Sequence, residues 1–257
     1  MIAYNVKILD ILLLGSQTEL CSCIKQKIYN IEYNRSNIGN VNKENFETFD
    51  LNKYSDEVYE EKYSSKVSPR ENIKVIKEIA ENFIKNFENP DEKNLLFCGY
   101  TGLGKTFLSN CIANELLKNG ETVLYQTAPV MLDSILDYRF NKKGNNSFNV
   151  IENLLNVDLL IIDDLGTETL NELKFTELFT IINSRLLNQN QRITKTIIST
   201  NLTIQNIFDV YEERLRFKIC WKLPYLQVFP VMISVLKNDF FMLKICTKIN
   251  KKTVLFY

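Results

Sequence analysis

The chain has 257 residues, 45% hydrophobic and 24% charged, which suits a soluble globular protein with one sizeable domain and a short appendage. Lys plus Arg and Asp plus Glu both number 31, so any nucleic-acid contact has to come from a local patch rather than from overall charge. Histidine is absent, which excludes imidazole bases, imidazole metal ligands and histidine pH switches.

Residues 1–67 are polar, rich in Asn, Lys, Glu and Tyr, and read as a loosely structured N-terminal region. The apolar stretch from Ile8 to Leu14 is broken by Asp10 and lacks a basic leader and a small-residue cleavage site, so it is not expected to be a targeting segment. Six cysteines (Cys21, Cys23, Cys98, Cys111, Cys220 and Cys246) with no signal peptide point to free thiols in a reducing cytoplasm.

Ser68-Pro69-Arg70-Glu71 has capping-box spacing with proline at the first helical position, and Ile73, Ile76, Ala80, Phe83 and Phe87 follow on one helical face. A helix is therefore expected to open the folded domain, taken as residues 68–235. Beyond it, apolar runs at Leu95–Cys98, Thr122–Gln126, Asp158–Ile162 and Thr196–Thr200 read as buried strands. They alternate with helical patterns, one with Phe107, Leu108, Cys111, Ile112 and Leu116 on one face and Gly120 as its C-terminal cap, others at Val130–Phe140 and Leu173–Asn188. That rhythm means an α/β fold with a parallel sheet covered by helices on both faces. The apolar run from Val228 is cut by Lys237, Asn238 and Asp239 before it reaches membrane-spanning length, and residues 236–257 form an atypical tail. No membrane association is expected.

Gly99-Tyr100-Thr101-Gly102-Leu103-Gly104-Lys105-Thr106 fits G-x-x-x-x-G-K-[ST] without mismatch, and it lies between a strand and a helix as the mechanism requires. Glycines let backbone N–H groups curl around a phosphate at the positive end of the helix dipole. Lys105 is placed to reach the β- and γ-phosphates of ATP, and Thr106 to offer a hydroxyl to Mg²⁺. Downstream, Leu159-Leu160-Ile161-Ile162-Asp163-Asp164 is an apolar strand ending in two acids. Alone, such a pair is more often a solvated turn; with the phosphate loop, Asp163 fits the magnesium side and Asp164 the general base that polarises attacking water. Asn201 ends the Thr196–Thr200 strand, at the carboxyl end where a parallel sheet binds its ligand, and is placed to sense a γ-phosphate or the lytic water.

The segments NLLFCGYTGLGKTFLSNCIANELL, DLLIIDDLGTE, TELFTIINSRLL, TIISTNL and YEERL, taken together, resemble bacterial replicative helicase loaders of the DnaC/DnaI type and the related IstB transposition ATPases. The resemblance runs from Phe46 to Phe229. It implies a P-loop NTPase of the AAA+ type that assembles on a DnaB-type replicative hexameric helicase and single-stranded DNA, with ATP controlling loading or release, and that forms a homo-oligomer. It also puts Asp164 at the catalytic acidic position and Asn201 at sensor 1.

Three departures stand out. Lys218 occupies the place of an arginine finger, and lysine lacks the planar fork. Ser234 stands where a sensor-2-like arginine is expected. Only Cys21 and Cys23 remain of a possible four-cysteine zinc knuckle, and two thiolates make a poor structural site, so zinc is not expected. The departures cluster at the two ends, as an altered reading frame at both ends would produce.

Three activities compete on this sequence: a helicase-loading or IstB-like transposition ATPase, a partner-binding protein that holds nucleotide but hydrolyses it weakly, and a small-molecule phosphotransferase. The last is disfavoured because no arginine-rich lid segment is present. For DNA contact the local candidates are Tyr138, Arg139, Phe140, Lys142, Lys143 and Phe148, which read equally well as a stacking and phosphate-neutralising patch or as a helix end with core aromatics and solvated lysines.

Overall fold

A computed structural model describes residues 11–14, 17–20, 23–24, 26–27, 43–58, 67–140, 150–169, 171–188, 193–211 and 227–230. Among these, strands β1 (Ile11–Leu14) and β2 (Gln17–Leu20) form an antiparallel hairpin. The main sheet comprises β3 (Leu95–Cys98), β4 (Val123–Thr127), β5 (Leu159–Leu165), β6 (Lys195–Thr200) and β7 (Gln227–Pro230) in the order β4-β5-β6-β3-β7, with every pairing parallel. The helices are α1 (Pro69–Lys85), α2 (Lys105–Lys118), α3 (Ala128–Phe140), α4 (Val150–Asn156), α5 (Glu172–Asn188) and α6 (Ile204–Val210). No helix among the described residues is long and apolar enough to cross a membrane.

Two apolar cores sandwich the sheet, and strand alternation separates them. Leu160, Ile162 and Ile198 face α3 and α5, whereas Leu159, Ile161 and Ile197 face α1 and α2. At the base of the sheet the buried Asp158 carboxylate accepts from the Thr122 backbone at 2.8 Å and from the Thr122 hydroxyl at 2.5 Å, joining the starts of β4 and β5. The outer edge of β4 is met by Gln26, whose amide donates to Val123 O at 3.0 Å and accepts from Val123 N at 2.6 Å, as a paired strand would.

The local signals at the helix ends are realised. Ser68 and Glu71 close both halves of the capping box of α1, with Pro69 in its first turn. Gly120, at φ 91°, ends α2 in a Schellman arrangement, with Glu121 N donating to Leu116 O at 3.0 Å and Gly120 N to Leu117 O at 3.2 Å. Helix α4 was not evident in the sequence, where seven residues make too few turns to establish a period although Val150, Ile151, Leu154 and Leu155 share its apolar side.

Residues 43–58, within the segment expected to be loosely structured, pack on the α1–α2 side. Phe49 belongs to that core, stacks on Tyr54 with ring centroids 6.3 Å apart and meets Phe107 edge-on at 5.6 Å. The expectation of free thiols holds for the buried Cys98 and Cys111 but not for Cys23, which is disulfide-bonded. Composition constrains the redox class of a chain, not the pairing of an individual cysteine.

Candidate functional site: a phosphate loop against two acidic strand ends

The loop from Gly99 to Thr106 leaves β3 and enters α2, so its position is set by two elements buried in the core. Gly102 and Gly104 take left-handed φ of 83° and 94°, which a side chain at either position would strain. Gly104 is the N-cap of α2 and supplies no side-chain cap, so the first N–H groups of this helix stay available to an anion. From outside the loop, the Tyr54 hydroxyl donates to Leu103 O at 3.2 Å. Nothing in the sequence marked Tyr54, which lies about fifty residues before the loop in a polar stretch.

Lys105 is only 6% exposed, and its ammonium donates to Gly99 O (2.7 Å), Tyr100 O (2.9 Å) and Asn201 Oδ1 (2.7 Å). All three donors are occupied, and all three acceptors are neutral. Burial pulls its pKa below the usual lysine value, and the charges of Asp164 and Asp163 act in the opposite direction.

Asp163 and Asp164 sit where β5 bulges. Ile162 pairs with Ile198 and Leu165 with Thr200, so β5 carries one residue more than β6 across this stretch. The extra residue is accommodated by Asp164, the one non-glycine among the described residues with positive φ, at 55°. Asp163 keeps the inward alternation and is 4% exposed; its Oδ2 accepts from Thr106 Oγ1 at 3.1 Å. Asp164 is turned toward the loop, half-buried, with Asn201 Nδ2 3.5 Å from its Oδ1. Its carboxyl is raised above the usual range by burial first and by Asp163 second, with Lys105 and Asn201 opposing.

The four side chains named from sequence at three separate strand ends, Lys105, Asp163, Asp164 and Asn201, thus meet at one place. Two further donors reach Asp163, Tyr125 and Ser199, which the sequence did not single out. Past the bulge, buried Glu168 accepts from Gly166 N at 2.7 Å and from the Tyr211 hydroxyl, joining the turn after β5 to the end of α6. Of the candidate DNA-contacting residues, Phe140 is 69% exposed, and the Arg139 guanidinium is engaged by Glu177, donating to its Oε2 at 3.0 Å. Lys142, Lys143 and Phe148 lie outside the described residues, as do Cys21, Lys218 and Ser234.

The donor set suits a nucleotide with magnesium: a glycine loop at a helix N-terminus, one lysine, one hydroxyl and one buried carboxylate, the remaining ligands of such an ion coming from phosphates and water. No cluster of three or more Cys, Asp or Glu suited to holding a metal by itself occurs among the described residues. This loop, on a parallel sheet of this order, defines a P-loop NTPase domain of the AAA+ type. Two solved structures share its fold: the DnaC helicase loader (TM-score 0.50, 23% identity, covering 70% of this chain and 93% of that one) and DnaI (TM-score 0.53, 22% identity, covering 73% and 88%). The chain belongs to the IstB-like ATP binding protein family, whose model matches residues 47–215. Among curated relatives, the replicative helicase loader DnaC of Escherichia coli K12 is 30% identical over 135 residues, 52% of this chain and 53% of that protein. DnaC of Buchnera aphidicola subsp. Baizongia pistaciae is 39% identical over 95 residues, 36% of this chain and 35% of that protein. The chain thus spans about half the length of the E. coli relative.

Proposed function

We propose that the protein binds Mg²⁺-ATP, hydrolyses it, and uses the cycle to load a DnaB-type replicative hexameric helicase onto single-stranded DNA in the cytoplasm, working as a homo-oligomer. The observation that carries this reading is the meeting of Lys105, Asp163, Asp164 and Asn201 beside an uncapped helix N-terminus, in a chain similar to helicase loaders. On ATP binding, Lys105 exchanges its neutral carbonyl partners for the β- and γ-phosphate oxygens, a stronger charge-assisted set. Gly99 to Gly104 supply backbone N–H groups to the phosphates. Thr106 and Asp163 would hold Mg²⁺, which when bound neutralises charge on the phosphate oxygens.

Asp164 then accepts a proton from the attacking water, the new oxygen–phosphorus bond forms as the bond to the β-phosphate oxygen breaks, and ADP and phosphate leave. Asn201, already between Lys105 and Asp164, is placed to orient that water or the γ-phosphate.

Co-purification with the host's replicative helicase in the presence of ATP tests the loader role. Retention of helicase that depends on ATP and on Lys105 supports it. Selective retention of a transposase would instead favour the IstB-like role, which the family match motivates. Lys218 and Ser234 favour a further reading in which nucleotide is held but turned over weakly, because neither supplies a guanidinium to a neighbouring subunit's phosphate.

A further inference from the structure

Three neighbouring parallel strands present side chains to the α2-facing side of the sheet: Tyr125 from β4, Asp163 from β5 and Ser199 from β6. Tyr125 is in register with Ile161, so Asp163 lies diagonally one step along the same face, within reach of the phenol. Tyr125 and Ser199 are 1% and 0% exposed, so their hydroxyls have no access to solvent as an alternative partner.

A carboxylate offers about four lone-pair positions. At Asp163, Oδ1 accepts from the Ser199 hydroxyl and from its neighbour's backbone, Asp164 N, at 3.1 Å. Oδ2 accepts from the Tyr125 hydroxyl at 2.5 Å and from Thr106 Oγ1 at 3.1 Å. Three of these donors are fixed, two by burial in the sheet and one by the backbone. Thr106, in the first turn of α2, is exposed.

We propose that Tyr125 and Ser199 are positioning residues for the magnesium-side carboxylate, pinning Asp163 in one orientation so that the lone pair now facing Thr106 is the only one free to exchange toward the ion. The proposal rests on the Mg²⁺-ATP reading above. It separates Asp163 and Thr106, which would serve the ion, from a pair of buried hydroxyls that touch neither ion nor nucleotide and act through them, Tyr125 being hydrogen-bonded to the Thr106 side chain as well as to Asp163. Partners of this kind behind a metal-binding carboxylate typically change metal affinity 10- to 100-fold when removed.

The test is equilibrium binding of a fluorescent ATP analogue to the full chain, with magnesium titrated and, separately, with magnesium chelated. Tyr125→Phe and Ser199→Ala are compared with the parent, and thermal unfolding checks that each is folded. Both variants should bind nucleotide within about twofold of the parent in chelator, while the magnesium concentration giving half of the metal-dependent gain rises about tenfold. Should Tyr125→Phe fail to fold, Ser199→Ala, which removes one small hydroxyl, carries the test. A parent-like magnesium midpoint in a folded variant overturns the positioning role, as does an affinity loss of the same factor with and without magnesium, the mark of a purely structural contribution. A parent protein whose nucleotide binding gains nothing from magnesium would overturn the Mg²⁺-ATP reading itself.

Discussion

At the scale of single residues, Asp164 concentrates the tension in this site. It holds a left-handed φ of 55°, which asparagine tolerates at least as well as aspartate, and its carboxyl is raised by burial and by the adjacent Asp163. A carboxyl with a raised folded-state pKa favours folding only below its unfolded pKa, and that contribution is lost as pH rises through the folded value. At neutral pH the ionised Asp164 therefore costs stability. Asp164→Asn is expected to abolish single-turnover hydrolysis while keeping nucleotide and Mg²⁺, and to raise the Tm, because it removes a charge that burial and Asp163 both penalise. Parent-like hydrolysis in this variant would remove Asp164 from the general-base role. For the parent, the acidic limb of the turnover profile should lie above the ordinary carboxylate range, because the base has to be ionised to accept a proton. Lys105 was legible in the sequence from the glycine-loop motif, and the two acids and Asn201 because they end or follow a strongly apolar run. Tyr125 and Ser199 were not: a tyrosine and a serine inside buried strands look like core, and only the register of three strands brings them to Asp163.

At the scale of elements, the turn leaving β5 and the ends of α4 and α5 carry constraints that periodicity does not display. A Cβ on Gly166, at φ 98°, would lie 2.5 Å from Leu202 Cδ1, whereas Gly102, at φ 83°, has nothing within 4 Å of such an atom. Gly166→Ala should cost about 1–3 kcal/mol by denaturant unfolding, combining backbone strain with displacement of Leu202, and Gly102→Ala should cost less in stability while weakening nucleotide binding. Equal stability losses would mean that the Leu202 contact is relieved without cost. Arg185, 2% exposed, donates to Leu154 O at 2.8 Å, Val157 O at 2.9 Å, Lys195 O at 2.6 Å and Thr196 Oγ1 at 3.0 Å, capping the carbonyl end of α4 and fastening α5 to β6. In the sequence it reads as one more helical arginine within a motif. Lysine has no fork to serve several acceptors at once, so Arg185→Lys is expected to cost about 1.5–3 kcal/mol in unfolding experiments. The bulge in β5 was equally hidden, because strand alternation by itself predicts an unbroken ladder.

At the scale of the molecule, the central motifs fixed in advance which ends of the sheet form the site, and the N-terminal contacts add a link that composition did not reveal. Tyr54 ties residues 43–58 to the phosphate loop at Leu103, so the segment before α1 is mechanically continuous with the nucleotide site. The remaining molecular question is turnover in an assembly. Lys218 offers a point charge and Ser234 none, so partner-stimulated hydrolysis is expected to be slow, and Lys218→Arg together with Ser234→Arg to raise it with little change in ATP affinity. An inert double variant in a folded, assembled sample would mean that these are not the missing arginines. All of this presupposes a working nucleotide site, and the most direct measurement of that is equilibrium titration of the parent and Lys105→Ala with a fluorescent ATP analogue in magnesium. The account predicts saturable binding by the parent and its loss by roughly 100-fold or more in Lys105→Ala, because the loop's one cationic side chain is gone; equal affinities for the two proteins would contradict it.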